Sequence, residues 1–147
     1  GTPKVLEFNC RMGDPETQPI MMRLKTDLTL ILEAAIDGRL DQIEAEWDRR
    51  FALGVVLAAA GYPDSPRKGD AISGLPAEGE DYHVFHAGTA RRDGLTVTSG
   101  GRVLCVTALG DTVKQAQMRA YEIAEQIRFD GCQMRRDIGH RAIGRKK

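Results

Sequence analysis

Apolar and polar residues alternate over positions 5–10, with Val5, Glu7 and Asn9 on one side of the backbone and Leu6, Phe8 and Cys10 on the other. A period of two predicts a half-buried strand with Glu7 and Asn9 sharing one face. The turn signal Gly13-Asp14-Pro15 ends it, and Pro15-Glu16-Thr17 suits the first turn of a helix, where proline lacks only an amide that would be unpaired anyway. That helix runs to about Leu24. Asp27 caps a second helix in which Leu28, Ile31, Leu32, Ala35 and Ile36 recur at helical spacing, with Gly38 as its stop. Positions 40–47 add a short helical or turn-like connection, with Ile43 and Trp47 one helical turn apart. The charged run 41–50 reads as a linker between a first region, 1–40, and a second, 51–147.

From Phe51 the pattern changes to short apolar runs separated by glycine, proline and charged turns, which predicts an antiparallel sheet. The expected strands are 52–59, 70–72, 82–89, 95–98 and 101–109, with Asp93-Gly94 as a hairpin turn. Asp111-Thr112 opens the longest periodic segment. Val113, Ala116, Ala120, Ile123, Ala124 and Ile127 form one stripe, which predicts a helix to about Ile127 packed on the sheet. Positions 132–143 are expected to return as extended structure. The fold class is therefore α+β.

Length and charge narrow the functional field. A chain of 147 residues fits one domain, or a small domain with part of another. Its 21 basic and 21 acidic side chains cancel without a long run of one sign, which argues against nucleic acid or an anionic membrane as partner. The longest apolar run is far shorter than the roughly 20 residues of a membrane helix. Cys10, Cys105 and Cys132 are widely spaced and odd in number, which suggests buried thiols in a reducing compartment rather than a metal or redox centre. The opening Gly1-Thr2-Pro3-Lys4 runs straight into an apolar strand pattern, without a signal peptide, and reads as the middle of a domain.

Glu7, Asn9 and Arg11 stand at alternate positions, so their polar tips can converge on one ligand. Two oxygen donors suit a hard divalent ion whose remaining ligands are phosphates and water. The arginine fork suits a carboxylate or phosphate. A solvated strand face is the commoner explanation of such spacing, and the three residues alone do not exclude it.

The residues that follow add specificity. Arg11-Met12-Gly13-Asp14-Pro15-Glu16-Thr17-Gln18 resembles the signature of the phosphoribosylamine-glycine ligase family, with Met12 where that family usually has an aromatic residue. Glu7-x-Asn9-x-Arg11 resembles the metal-binding end of the nucleotide site in ATP-grasp enzymes. Ordered similarities continue through Gly61-Tyr62-Pro63, Lys68-Gly69-Asp70, Val84-Phe85-His86-Ala87-Gly88-Thr89, Gly100-Gly101-Arg102-Val103-Leu104, Leu109-Gly110-Asp111-Thr112 and Arg135-Arg136-Asp137-Ile138-Gly139.

The resemblance implies the end of an ATP-grasp domain, residues 1–40, followed by a C-terminal β-rich domain. It implies a cytoplasmic enzyme using glycine, 5-phosphoribosylamine and ATP with Mg²⁺ or Mn²⁺, and a partner in the N-terminal part of the same enzyme. Glu7 and Asn9 become metal ligands. Arg11 becomes the catalytic contact to the glycine carboxylate or its acyl phosphate. Asp14 and Glu16 are candidates for a substrate amino group, with turn and helix-end roles as the alternatives. Arg135 and Arg136 are candidates for the ribose phosphate, and an ion-paired surface is their alternative. Lys68 and His140 are weaker candidates. Two other readings remain: a non-catalytic module keeping the same fold, and a carboxylating or formylating ATP-grasp relative.

Overall fold

The computed structural model describes residues 2–144. Its centre is a three-stranded antiparallel sheet of β1 (Phe51–Ala58), β5 (Arg102–Gly110) and β2 (Tyr82–His86), in the order β1-β5-β2. A separate hairpin joins β3 (Thr89–Arg92) to β4 (Leu95–Thr98). Its turn residues Asp93 and Gly94 both have positive φ, 49° and 79°, as a two-residue turn matched to strand twist requires.

The register explains the core. Leu53, Val55 and Leu57 stand opposite Ala108, Val106 and Leu104, and all six are buried beneath α3 (Val113–Ala124). Helix α3 starts where expected: Thr112 Oγ1 accepts from the Gln115 amide at 3.1 Å, and Gln115 Oε1 accepts from the Thr112 amide at 3.2 Å. The apolar stripe continues past the helix end to Ile127, which is buried outside it.

On the opposite face of the sheet lies α1 (Thr17–Arg23). A methyl group at Gly54 would stand 3.0 Å from Cys105 Sγ and 3.4 Å from Pro19 Cγ, so glycine lets the helix approach there. With layers on both faces, β5 is buried at every position after Arg102. Helix α2 (Leu28–Ile36) is capped by Asp27, whose Oδ1 accepts from the Thr29 amide at 2.8 Å. It buries only Ala34 and leaves Leu30, Leu32 and Ile36 exposed.

Five sequence expectations need correction. Residues 5–10 form no strand, and Leu6 and Phe8 are 97% and 88% exposed. The alternation is present, but among the described residues no neighbouring strand supplies ladder partners, and a lone strand cannot satisfy its backbone groups in a sheet. Positions 70–72 make only an isolated bridge, Ala71 to Val97. The expected strand 82–89 bends at Ala87 and Gly88, where Gly88 lies too close to Gly100 and the Arg102 carbonyl to carry a side chain.

The tail 132–143 is not extended throughout. Gln133 and Ala58 exchange backbone hydrogen bonds of 2.8 and 2.9 Å, but the chain then turns at Gly139, φ 82°, into the short α4 (His140–Ile143). Among the cysteines, Cys10 is exposed rather than buried. Among the described residues no helix is long and apolar enough to cross a membrane.

Candidate functional site

Two segments far apart in sequence border one hollow beside β1. Backbone pairing of Gln133 with Ala58 seats the tail along the β1 edge, while the loop before α1 docks on the start of β5. Between them lies a cavity of about 450 Å³, lined on its floor by Gly54, Val56 and Ala58. These are the even-numbered residues of β1, turned away from the α3 core by the strand's two-residue period. Pro15, Tyr62, Met134 and Ile138 add apolar walls, and Arg102 and Arg135 supply positive charge at the rim. Such a mixture suits a small ligand with an anionic end.

The loop before α1 is organised by its own polar groups. Glu16 Oε1 accepts from the Gly13 amide at 2.9 Å, and Thr17 Oγ1 donates to the Gly13 carbonyl at 2.6 Å. Glu16 therefore commits one carboxylate oxygen to closing a turn at the helix entrance. Asp14 accepts from Gln18 Nε2 at 3.2 Å through Oδ1 and from Arg102 Nη1 at 3.2 Å through Oδ2. The Gln18 side-chain oxygen is buried without a hydrogen-bond partner, leaving one acceptor of the motif uncommitted.

Upstream, Asn9 Nδ2 donates to Glu7 Oε1 at 3.1 Å, so the two side chains do come together. As a donor set they fit part of a Mg²⁺ or Mn²⁺ site: one carboxylate and one amide, both solvent-facing, with room for phosphate and water oxygens. Among the described residues no cluster of three or more acidic, histidine or cysteine side chains forms a self-sufficient metal site. Arg11 is exposed, and among the described residues its Nη1 donates only to the adjacent Met12 carbonyl, at 3.3 Å.

The two tail arginines separate. Arg135 lines the cavity and pairs with Asp137 at 2.5 Å, which holds the Asp137 carboxyl below its ordinary range. Arg136 points elsewhere, pairs with Glu125, and lines a different hollow with Ala124, Arg128 and Cys132. Lys68 is exposed in the loop after β1, and His140 Nδ1 lies 2.6 Å from the Asp137 carbonyl. Neither lines the cavity. Burial pushes the Cys105 and Cys132 thiols up, which keeps them protonated and poor nucleophiles.

Sequence reasoning missed Tyr62 and Arg102 as site residues. Each stands in a short motif that joined the family resemblance, Gly61-Tyr62-Pro63 and Gly100-Gly101-Arg102, but neither carries local spacing that points to the other. Arg102 Nε donates to the Tyr62 hydroxyl at 3.0 Å across 40 positions of sequence.

Comparison with known proteins places this architecture. The family model described as "Phosphoribosylglycinamide synthetase, C domain" matches residues 52–141. Phosphoribosylamine-glycine ligase of Ralstonia nicotianae is 68% identical over 145 residues, covering 99% of this chain and 34% of that protein. Its counterpart from Vibrio vulnificus is 62% identical over 148 residues, covering 100% of this chain and again 34% of the relative. The crystal structure of phosphoribosylamine-glycine ligase from Thermotoga maritima superposes with a TM-score of 0.68 at 43% identity, over 92% of this chain and 33% of that one. The chain thus spans about a third of the length of the relatives it matches, and that third is their C-terminal part. With a domain model matched across its whole sheet and relatives similar from end to end, the chain belongs to the phosphoribosylamine-glycine ligase family.

Proposed function

We propose that this chain is the C-terminal portion of a cytoplasmic ligase that joins glycine to 5-phosphoribosylamine at the expense of ATP, in purine biosynthesis. One observation supports this most: the family's signature loop, residues 11–18, is docked on the C-terminal sheet and borders the same cavity as Arg135. Residues 1–40 then belong to the end of the ATP-grasp domain. The exposed apolar side chains of α2 support that division, because a full-length ligase has roughly twice this much further chain to cover them.

In this reading, phosphoryl transfer from ATP turns the glycine carboxylate into an acyl phosphate. The amine of phosphoribosylamine attacks its carbonyl carbon, and phosphate leaves with the electrons of the C–O bond. Glu7 and Asn9 are the residues that would hold a divalent ion, which when bound would neutralise charge on the phosphates during transfer. Arg11 orients the glycine carboxylate through its planar fork. Arg135 attracts the ribose phosphate, while Asp137 fixes its guanidinium. Arg136, Lys68 and His140 do not line the cavity, and Glu16 and Asp14 act within the loop. The amine needs positioning more than prior removal of a proton.

The test is steady-state glycine ligation by a full-length ligase carrying this sequence as its C-terminal third. Glu7→Gln should lower turnover by at least about 100-fold, in line with several kcal/mol of charge stabilisation. Normal turnover in that variant refutes the metal assignment. The 147-residue chain by itself should be inactive.

A further inference from the structure

The cation that holds the cavity together is Arg102, at the first position of β5. Its Nη1 donates to the Asp14 carbonyl at 2.5 Å and to Asp14 Oδ2 at 3.2 Å, while its Nε donates to the Tyr62 hydroxyl at 3.0 Å. One planar group therefore ties three pieces of chain together: the signature loop, the loop after β1 and the sheet. Tyr62 is itself placed by close contact. A methyl group at Gly101 would stand 2.4 Å from Tyr62 Cδ2, so only glycine lets the ring lie over the backbone beside Arg102. From Asp14 the restraint passes to the helix, because Asp14 Oδ1 accepts from Gln18 Nε2 on the first turn of α1.

We propose that Arg102 is a positioning residue for ligation, clamping the signature loop that carries Arg11 to the C-terminal domain beside the cavity that Arg135 lines. The proposal rests on the ligase reading. Arg102 acts through Asp14 and Tyr62. Its side chain and that of Asp14 are 40% and 51% exposed, so this ion pair adds little to global stability. Its role is geometric: the Nε and Nη1 donors point in directions set by a rigid fork, and a lysine ammonium cannot reproduce both. A shift of about 1 Å in a residue that orients substrate costs on the order of 100-fold in rate.

The experiment compares Arg102→Ala, Arg102→Lys and Gly101→Ala in the full-length ligase with the unmodified enzyme. Both Arg102 variants should lose roughly 10- to 100-fold in kcat, with KM for ATP within about threefold and melting within about 2 °C. Gly101→Ala, which keeps the arginine but displaces Tyr62, should fall in between. Normal turnover in Arg102→Ala, or full rescue by lysine, overturns the proposal. If Arg102→Ala does not fold, Gly101→Ala decides alone, and its normal turnover overturns the clamp.

A second measurement needs no activity. In the 147-residue chain, Arg102→Ala should speed amide exchange at Gly13 and Thr17 about tenfold while the β5 amides stay protected. Unchanged exchange at those two positions refutes the clamp. Absence of glycine ligation in the unmodified enzyme defeats the ligase reading instead and leaves the exchange result standing.

Discussion

Ile138 is held by two side chains of α3, and removing them is a direct test of how the tail is placed. Tyr121 Oη accepts from the Ile138 amide at 3.1 Å and donates to the Arg135 carbonyl at 2.7 Å. One helical turn earlier, Gln117 Nε2 donates to the Ile138 carbonyl at 2.7 Å. Residues four apart share a helix face, so α3 presents a matched acceptor and donor to one peptide segment. Tyr121→Phe removes two of the three hydrogen bonds without changing the ring's packing. A net neutral hydrogen bond contributes about 1 kcal/mol, and water can replace part of it at this half-exposed position. The expected cost is therefore about 1.5 kcal/mol. At roughly 2–4 °C per kcal/mol for a domain of this size, melting should fall by about 3–6 °C.

Adding Gln117→Met, which removes the third hydrogen bond, should bring the loss to about 2 kcal/mol. The two changes should not simply add, since both act on Ile138. Thermal and urea unfolding give the energies, and amide exchange at Ile138 reports the local release. In the full-length ligase the same variants should raise KM for phosphoribosylamine, because Arg135 loses its anchor. A Tyr121→Phe chain that melts within about 1 °C of the parent and keeps Ile138 protected refutes the tether.

Other outcomes follow from the core and the charges. Leu57, fully buried opposite Leu104, should cost about 3 kcal/mol as Leu57→Ala, seen as a lower urea midpoint with unchanged slope. The Arg50 guanidinium beside Asp48 holds its carboxyl at about 2, below the ordinary 3.8. A depressed folded pKa means that its stabilisation is complete above about pH 3.8 and is lost as pH falls through about 2. Melting temperatures between pH 4 and 2, a window set by that shift, should accordingly vary less in Asp48→Asn than in the parent. Exposed Cys10 should react with a maleimide in the native chain, whereas buried Cys105 should react only after unfolding, as mass mapping of the adducts would show.

Local signals were legible in the sequence wherever the governing interactions are local. Thr112 and Gln115 announce the start of α3, Asp27 that of α2, and Asp93-Gly94 the hairpin, because each acts on backbone within a few residues. The motif at residues 11–18 was visible for the same reason. Glu7 and Asn9 do lie side by side, although among the described residues no strand carries them. That neighbouring arginines of an extended segment part company follows from the alternation of side chains, but which of the two borders the cavity was not legible. Arg135 borders the cavity, whereas Arg136 binds Glu125.

By itself, then, the sequence determined helices α1, α2 and α3, the hairpin turn, the α+β class and the family resemblance, but not α4. Those features rest on periodicity, caps and contiguous motifs, whose physics operates over one or two turns of chain. Tertiary structure alone decided that residues 5–10 have no sheet partner among the described residues, that β5 is buried on both faces, and that Arg102 reaches Asp14 across 88 positions. A strand becomes a strand only when another strand satisfies its backbone, and a guanidinium finds its acceptors only after the sheet has brought distant loops together.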